Sequence, residues 1–425
     1  MVKALITFAL KNRLVVLLSA AGLFAWGVYS IKQNPIDAIP DLSENQVIVF
    51  TEWMGRSPQL MEDQITYPLV SNLQGIPRIK NVRGTSMFGM SFVYVIFEDN
   101  VDVYWARTRV LERLNYAQRL LPQGVTPSLG PDGTGVGHIF WYHIDAKKMD
   151  LGEQRALQDW YVKFALQTVP GVAEVASFGG FEKQYQILLD PVKLQFYHVT
   201  LMDVMNKVKT NNNDVGGRKF EMSDMAYVIR GLGYIKNKED VENISLVQYN
   251  GIPVRVKDIG TVQMGGDLRL GIFDQNGEGE VVGGIVVMRY GENADRVIKA
   301  VKAKMKEVEK GLPEGVTFKV SYDRSTLIEE AVESVKKTLI EELITVSIVI
   351  LVFLFNWRSA LVILIQLPIS VAIGFILLQA FGLSSNIMSL TGIALAIGVV
   401  VDDGIVMVEN SYRHICDEQI KRTGG

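Results

Sequence analysis

Two adjacent acids, Asp402 and Asp403, end an apolar run from Ile393 to Val401; the apolar pattern resumes through Ile405–Val408 and closes on Glu409. A membrane-spanning helix needs about 20 mostly apolar residues, and Asn386–Asn410 supplies them only with both acids inside the span. An ionised carboxylate near mid-bilayer costs roughly 3 kcal/mol or more. Two in succession imply a face turned to a protein interior and a task for it. The chemistry open to a carboxyl there is to load a proton from one side and release it to the other, so Asp402 and Asp403 are candidate proton-relay residues. Glu409 lies seven positions after Asp402, on the same helical face. It is either a further relay group or an interfacial carboxylate reaching headgroup water.

Such a helix must be held by close neighbours. Gly392 and Ala396, and Ala394 and Gly398, stand four apart, the spacing that lets helices approach closely in a bilayer. A short buried helix in a soluble protein would carry the same local pattern, but three further apolar segments argue for a membrane. Leu14–Ile31 is 18 residues without a charge, preceded by Lys3, Lys11 and Arg13. It reads as a retained first span with a cytoplasmic N-terminus, because a cleaved signal has a shorter apolar core and a small-residue cleavage site. Leu339–Phe355 and Ala360–Phe381 read as the second and third spans. Asn356–Ser359 would be a cytoplasmic turn carrying Arg358, and Pro368 a kink within the third span. Asn386–Asn410 is then the fourth.

Composition agrees with a few spans joined to large water-exposed domains: mean hydropathy is +0.18 with 21% charged residues. A net charge of −3 offers no basic patch for nucleic acid. The single cysteine, Cys416, excludes an intrachain disulfide and a cysteine metal cluster. The four histidines form no i, i+4 pair, which argues against a structural zinc site.

From Lys32 to about Thr338 nothing could span a bilayer, so this block lies across the membrane from the N-terminus. It contains a duplication. In the first copy the spacing predicts strand Val47–Trp53, helix Pro58–Leu73, strands Ile79–Met87 and Phe92–Phe97, helix Asp102–Leu121, then a strand in LPQGVTPSLG. The second copy predicts strand Ile139–Ile144, helix Leu151–Val169, strands Ala173–Phe178 and Val281–Arg289, helix Ala294–Lys310, then a strand in LPEGVTFKVSYD. In the shared Leu-Pro-x-Gly-Val, proline cannot continue the helix and glycine permits the turn that follows. Each copy is a β-α-β-β-α-β, ferredoxin-like pattern. The second is interrupted by a polar, turn-rich insertion, Gly180–Arg269, in which Asn211–Gly217 is either a flexible hairpin or an arm reaching a neighbouring subunit. Gly130–Gly137 (GPDGTGVG) lacks the Lys-Ser/Thr of a phosphate loop and reads as a linker. Trp105, Trp141 and Trp160 read as core or interface residues.

With these elements in place, the motifs resemble those of resistance-nodulation-division efflux pumps. The G-x-x-V-D-D-x-I-V-x-x-E-N of the fourth span carries the resemblance, and with it NPIDAIPDLSENQVIV (Asn34–Val49), TYPL (Thr66–Leu69), VYVIFED (Val93–Asp99), YWAR (Tyr104–Arg107), GPDGTGVG and NIMSLTGIALAIG (Asn386–Gly398) are similar to the heavy-metal, copper/silver-exporting branch. The resemblance implies a proton-driven inner-membrane exporter rather than an enzyme. It implies no cofactor, a homotrimer, and as partners a periplasmic adaptor and an outer-membrane channel. It divides the chain into residues 1–34 (N-terminus and first span), 35–135 and 136–179 with 271–325 (two porter subdomains), 180–270 (docking insertion, its arm entering the next protomer) and 326–425 (spans two to four and a tail). Asp402 matches the family's relay aspartate. Asp403 matches the second acid of the drug-exporting branch, where metal pumps often carry a small residue.

The resemblance also implies twelve spans in two halves, whereas this sequence covers four. A fragment, a split subunit and a truncated frame are all compatible with that, and so is a non-transporting assembly role. The absent half would supply the basic partner of Asp402. Met388 and Met407 flank the acids and either line a route for Cu(I) or Ag(I), soft ions that thioethers suit, or serve as apolar filler. Leu268 and Val400 stand where the copper/silver branch has methionine, which keeps zinc, cobalt or nickel export open as the alternative.

Overall fold

The computed structural model describes residues 2–222, 224–269, 271–354 and 357–423. Two helices open the chain, α1 (Val2–Lys11) and α2 (Arg13–Gln33). At 1.5 Å per residue, α2 is about 31 Å long, close to the thickness of a bilayer's hydrocarbon core.

The first unit comprises β1 (Gln46–Glu52), the helices α3 (Pro58–Met61) and α4 (Tyr67–Leu73), β2 (Ile79–Met87), β3 (Met90–Phe97), α5 (Val103–Ala117) and β4 (Ser128–Leu129). Its sheet runs β2-β3-β1-β4 with every neighbouring pair antiparallel. Alternate residues of β1 and β3 (Val47, Val49, Val93, Val95) point into one core. The helical stripes Met61–Ile65–Leu69–Leu73 and Ala106–Val110–Leu114 meet them there. The last strand is only two residues long, shorter than LPQGVTPSLG suggests.

The second unit comprises β5 (Gly133–Asp145), α6 (Leu151–Leu157), α7 (Lys163–Gln167) and β6 (Val172–Phe178), and resumes after the insertion with β13 (Val282–Arg289), α12 (Ala294–Glu309) and β14 (Thr317–Asp323). Its order, β14-β5-β13-β6, repeats that of the first. One expectation fails here. Gly133–Gly137 is no linker but the opening of β5, with Gly133 paired to Arg289. A Cβ at Gly133 would lie 2.7 Å from a Val287 methyl and one at Gly137 2.8 Å from the Met288 carbonyl oxygen. These glycines permit close backbone approach rather than flexibility.

In both units the first helix widens into a π-turn, Glu62–Thr66 and Gln158–Val162. Each turn buries a polar side chain. Thr66 shares hydrogen bonds with Ser86 and Ser91 at 2.7 and 2.8 Å. Gln158 accepts from the Tyr142 hydroxyl at 3.0 Å. Trp105 packs edge-on against Phe97 and Trp141 against Tyr322, while Trp160 is exposed.

The insertion has its own small core of Val199, Val204, Val241, Ile244, Val254, Ile259 and neighbours. It contains β7 (Lys183–Leu189), α8 (Pro191–Phe196), α9 (Leu201–Asn211), β8 (Val215–Met222), β9 (Met225–Gly231), α10 (Lys238–Glu242), β10 (Ser245–Tyr249), β11 (Ile252–Arg255), α11 (Val256–Ile259) and β12 (Gly260–Gly266). β7 and β12 pair antiparallel at its base. β8 and β9 form a hairpin whose strand residues are all exposed.

Three long helices follow, α13 (Arg324–Leu354), α14 (Trp357–Ala380) and α15 (Ile387–Thr423). α13 joins the second unit and the expected second span in one element. Phe355 and Asn356 lie outside the described residues, and Arg358 is within α14 rather than in a turn. Pro368 is accommodated inside α14. Among the described residues, Arg13–Gln33 and Ile387–Ser411 are long and apolar enough to cross a membrane, and Ile365–Ala380 is apolar but shorter. α14 packs against α2, α13 and α15, most closely where Gly27 of α2 admits Ala372.

Candidate functional site

The start of α15 is fixed by its own sequence. The Asn386 carboxamide oxygen accepts from the Met388 and Ser389 amides, each at 3.0 Å, while the Ser389 hydroxyl oxygen accepts from the Asn386 amide at 2.8 Å. An asparagine cap of this kind contributes about 1 kcal/mol. The cap is then tied to the end of α2. The Ser385 amide donates to the Pro35 carbonyl at 2.8 Å, the Asp37 amide to the Ser385 carbonyl at 3.1 Å, and the Ile387 amide to the Ala38 carbonyl at 3.2 Å. Buried Asn34 donates from Nδ2 to the Ser385 hydroxyl at 2.8 Å.

The same strap reaches the second unit. Arg324, the first residue of α13, donates from Nη1 to Asp37 Oδ2 at 3.3 Å and from Nη2 to the His138 carbonyl at 3.1 Å. The ends of α2, α13 and α15 therefore converge on strand β5.

Along α15, Ile393, Ile397, Val401 and Ile405 form an i, i+4 stripe against Leu367 and Val371 of α14. Asp402 and Asp403 follow the stripe but lie on other faces, and both are exposed. The expectation that protein encloses them is not met by the described residues of this chain, because α14 packs against the stripe and not against the acids. No basic side chain among the described residues pairs with either acid.

By helical geometry Met388, Asp402 and Glu409 share one face within about 60°, and Asp403 and Met407 share the next within about 40°. Met388 and Asp402 are nevertheless about 21 Å apart along the axis, so the face does not gather them into one site. Glu409 is engaged within its own helix by Arg413 at 2.6 Å. Met407 is exposed. Met388 lines a cavity of about 510 Å³ between the α14–α15 turn and the second unit, with Met288, Asp37, Asp41 and Glu292 also on its wall. All three carboxylates already have partners: Arg324 for Asp37, Thr134 for Asp41 and Arg296 for Glu292. Among the described residues no group of three His, Cys, Asp or Glu side chains could hold a metal ion.

Sequence reasoning missed Gln366. Its carboxamide lies over Gly404, where a Cβ would stand 3.0 Å from Oε1. This puts a neutral polar group on α14 beside the residue that follows the acid pair. The signal was present: Gln366 is a lone amide in the apolar LVILIQLPIS, and polar residues inside such helices face partners rather than lipid.

Residues 5–423 match the model of the AcrB/AcrD/AcrF family. The chain is 47% identical over 418 residues to SilA of Salmonella typhimurium and 46% identical over 418 residues to the cation efflux system protein CusA of Escherichia coli K12. Each alignment takes in 98% of this chain and 40% of the relative. The cobalt-zinc-cadmium resistance protein CzcA of Cupriavidus metallidurans is 38% identical over 428 residues, 99% of this chain and 40% of CzcA. The crystal structure of a heavy metal efflux pump, crystal form II, superposes with a TM-score of 0.86 at 35% identity, covering 96% of this chain and 41% of that one. The chain thus spans about 40% of the length of the relatives it matches. With a family match running from residue 5 to residue 423, the chain belongs to the AcrB/AcrD/AcrF family, the resistance-nodulation-division group that its motifs resemble.

Proposed function

We propose that this chain is the N-terminal portion of a proton-driven inner-membrane exporter of Cu(I) or Ag(I), working by metal/proton antiport. The observation that carries the reading is α15: two consecutive aspartates, Asp402 and Asp403, inside the apolar segment Ile387–Ser411, where carboxyls are costly unless they work. The motifs that resemble the copper/silver branch carry the choice of metal, and identity of 46–47% to the cation efflux proteins CusA and SilA against 38% to the cobalt-zinc-cadmium resistance protein CzcA is in line with it. Asp402 is the relay residue and Asp403 its companion, with Glu409 a membrane-edge carboxylate held by Arg413.

The rest of the assembly follows from the same reading. α2, the apolar part of α13, α14 and α15 are four spans. The two units are ferredoxin-like porter subdomains, supported by their common strand order, and residues 180–270 dock, with the β8–β9 hairpin reaching the next protomer of a homotrimer. A periplasmic adaptor and an outer-membrane channel complete the conduit. The remainder of the longer protein covers the Asp402 face and brings its basic partner.

The test is metal-driven proton flux in liposomes containing the full-length transporter. Asp402→Asn keeps shape and hydrogen bonding but cannot exchange a proton, so flux should vanish while trimer assembly persists. Asp403→Asn should be equally severe only where the two acids titrate as a coupled pair. Undiminished flux with Asp402→Asn would remove this residue from the mechanism.

A further inference from the structure

A single residue separates α1 from α2. Asn12 has φ −117° and ψ 52°, far from the helical ψ of about −42°, so the chain turns there instead of carrying α1 on along the axis of α2. Side chains hold the corner. Asn12 Nδ2 donates to the Phe8 carbonyl at 3.1 Å and Arg13 Nε to the Leu10 carbonyl at 3.3 Å, which gives partners to carbonyls in the last turn of α1.

The sequence of α1, VKALITFALK, has two unequal faces. Lys3, Thr7 and Lys11 recur at four-residue intervals, within about 80° on a helix, and every other residue of α1 is apolar. A broad apolar face beside a narrow basic one suits a helix lying in the plane of a membrane interface. The depth of α1 follows from α2. The charge-free stretch begins at Leu14, three residues after Lys11, so the end of α1 is about 5 Å from where the span enters hydrocarbon. Lys11 and Arg13 are thereby at headgroup level. Carried straight on into the cytoplasm, α1 would put Ile6, Phe8 and Leu10 in water, since this chain buries none of them. The local charge is unopposed in sequence: the first acid of the chain is Asp37, beyond the opposite end of α2.

We propose that α1 is an interfacial helix of the cytoplasmic leaflet, its apolar face at the acyl boundary, and that Lys3, Lys11 and Arg13 gather anionic phospholipid at the foot of α2. The proposal rests on the reading of α2 as the first span and goes beyond it by naming a lipid partner. Basic side chains next to a span are drawn to anionic headgroups, and salt screens the attraction. Because α2 tethers α1 at the surface, its insertion is intramolecular, and a helix of 10 residues suffices.

The test is fluorescence quenching in the whole chain, with Cys416→Ser and a bimane label on Phe8→Cys or, within the span, on Phe24→Cys. The chain is reconstituted in phosphatidylcholine mixed with phosphatidylglycerol, and one lipid or the other carries bromine on its acyl chains. At equal mole fraction, brominated phosphatidylglycerol should quench position 8 severalfold more than brominated phosphatidylcholine. Position 24 should be quenched alike by both. With Lys3→Gln, Lys11→Gln and Arg13→Gln together, the preference at position 8 should fall to parity while quenching itself persists, because the apolar face is unchanged. High salt should weaken the preference in the chain that keeps its three cations. Parity at position 8 with those cations in place would overturn the recruitment of anionic lipid. Quenching at position 24 but not at position 8 would overturn the interfacial position and show that water or protein surrounds α1. Quenching at neither would remove α2 as a span, and the proposal with it.

Discussion

Arg324 and Asp37 meet at 3.3 Å with side chains only 5% and 14% exposed, at the junction of α13, β5 and the strap that leads to α15. Breaking a buried pair by removing one charge costs about 3–5 kcal/mol, because the other is left uncompensated. Asp37→Asn is accordingly expected to lower the thermal midpoint of the detergent-solubilised chain by several degrees. Joint replacement, Asp37→Asn with Arg324→Met, should recover part of the loss. Calorimetry of wild type, Asp37→Asn, Arg324→Met and the double variant checks this, and a double variant worse than the sum of the singles would contradict it.

Gly404 makes room for the Gln366 carboxamide. A Cβ at 3.0 Å requires the flexible end of Gln366 to give by a few tenths of an ångström, whereas a leucine would enter the α14 face itself. Gly404→Ala should therefore insert and pack normally, and Gly404→Leu should part the two helices. Cross-linking of L367C to V401C, in a chain whose Cys416 is replaced by serine, should persist with alanine and fall with leucine.

His143 is buried on β5, its Nδ1 2.9 Å from the Ser321 hydroxyl. Its pKa is lowered from 6.5 by burial first and by Lys319 second, against an opposing pull from Asp145. With the folded value depressed, the unfolded chain binds more protons as the solution acidifies. Stability from this group is therefore complete above about pH 6.5 and declines as pH falls toward the folded value. Thermal midpoints measured from about pH 7.5 down to about pH 5.5 should fall more steeply in wild type than in His143→Gln. Parallel slopes would show that His143 does not contribute.

Met388 lies on the wall of the cavity beside the turn that joins α14 to α15. Met388→Leu keeps the volume and removes the sulfur. In the full-length transporter, the silver concentration for half-maximal proton flux should rise severalfold while maximal flux holds. An unchanged concentration dependence would assign Met388 to packing.

The order of strands and helices in the two units was legible from patterning and turn residues together, although β13 is buried along nearly its whole length and shows no alternation. Gly133–Gly137 was misread because glycines that admit a neighbouring strand have the same composition as glycines that loosen a loop; only Val287 and Met288, distant in sequence, distinguish the two. Gln366 was passed over because its meaning depends on Gly404 across the helix pair. Asp402 and Asp403 were found from burial cost, but that argument gives the need for cover and not its source.

The π-turns at Glu62–Thr66 and Gln158–Val162 have a consequence for how the two copies tolerate length change. A π-turn is one residue more than the regular helix needs. Deleting a single residue there would let α3 run straight into α4, or α6 into α7, with every backbone bond remade. Each side chain on the near side of the cut would turn by about 100° relative to those beyond it, so that Leu69 and Leu73, or Leu166, could reach their core only by swinging Met61 or Gln154 out of it. The extra residue is in effect a phase correction that brings two stretches of one helix onto a single sheet.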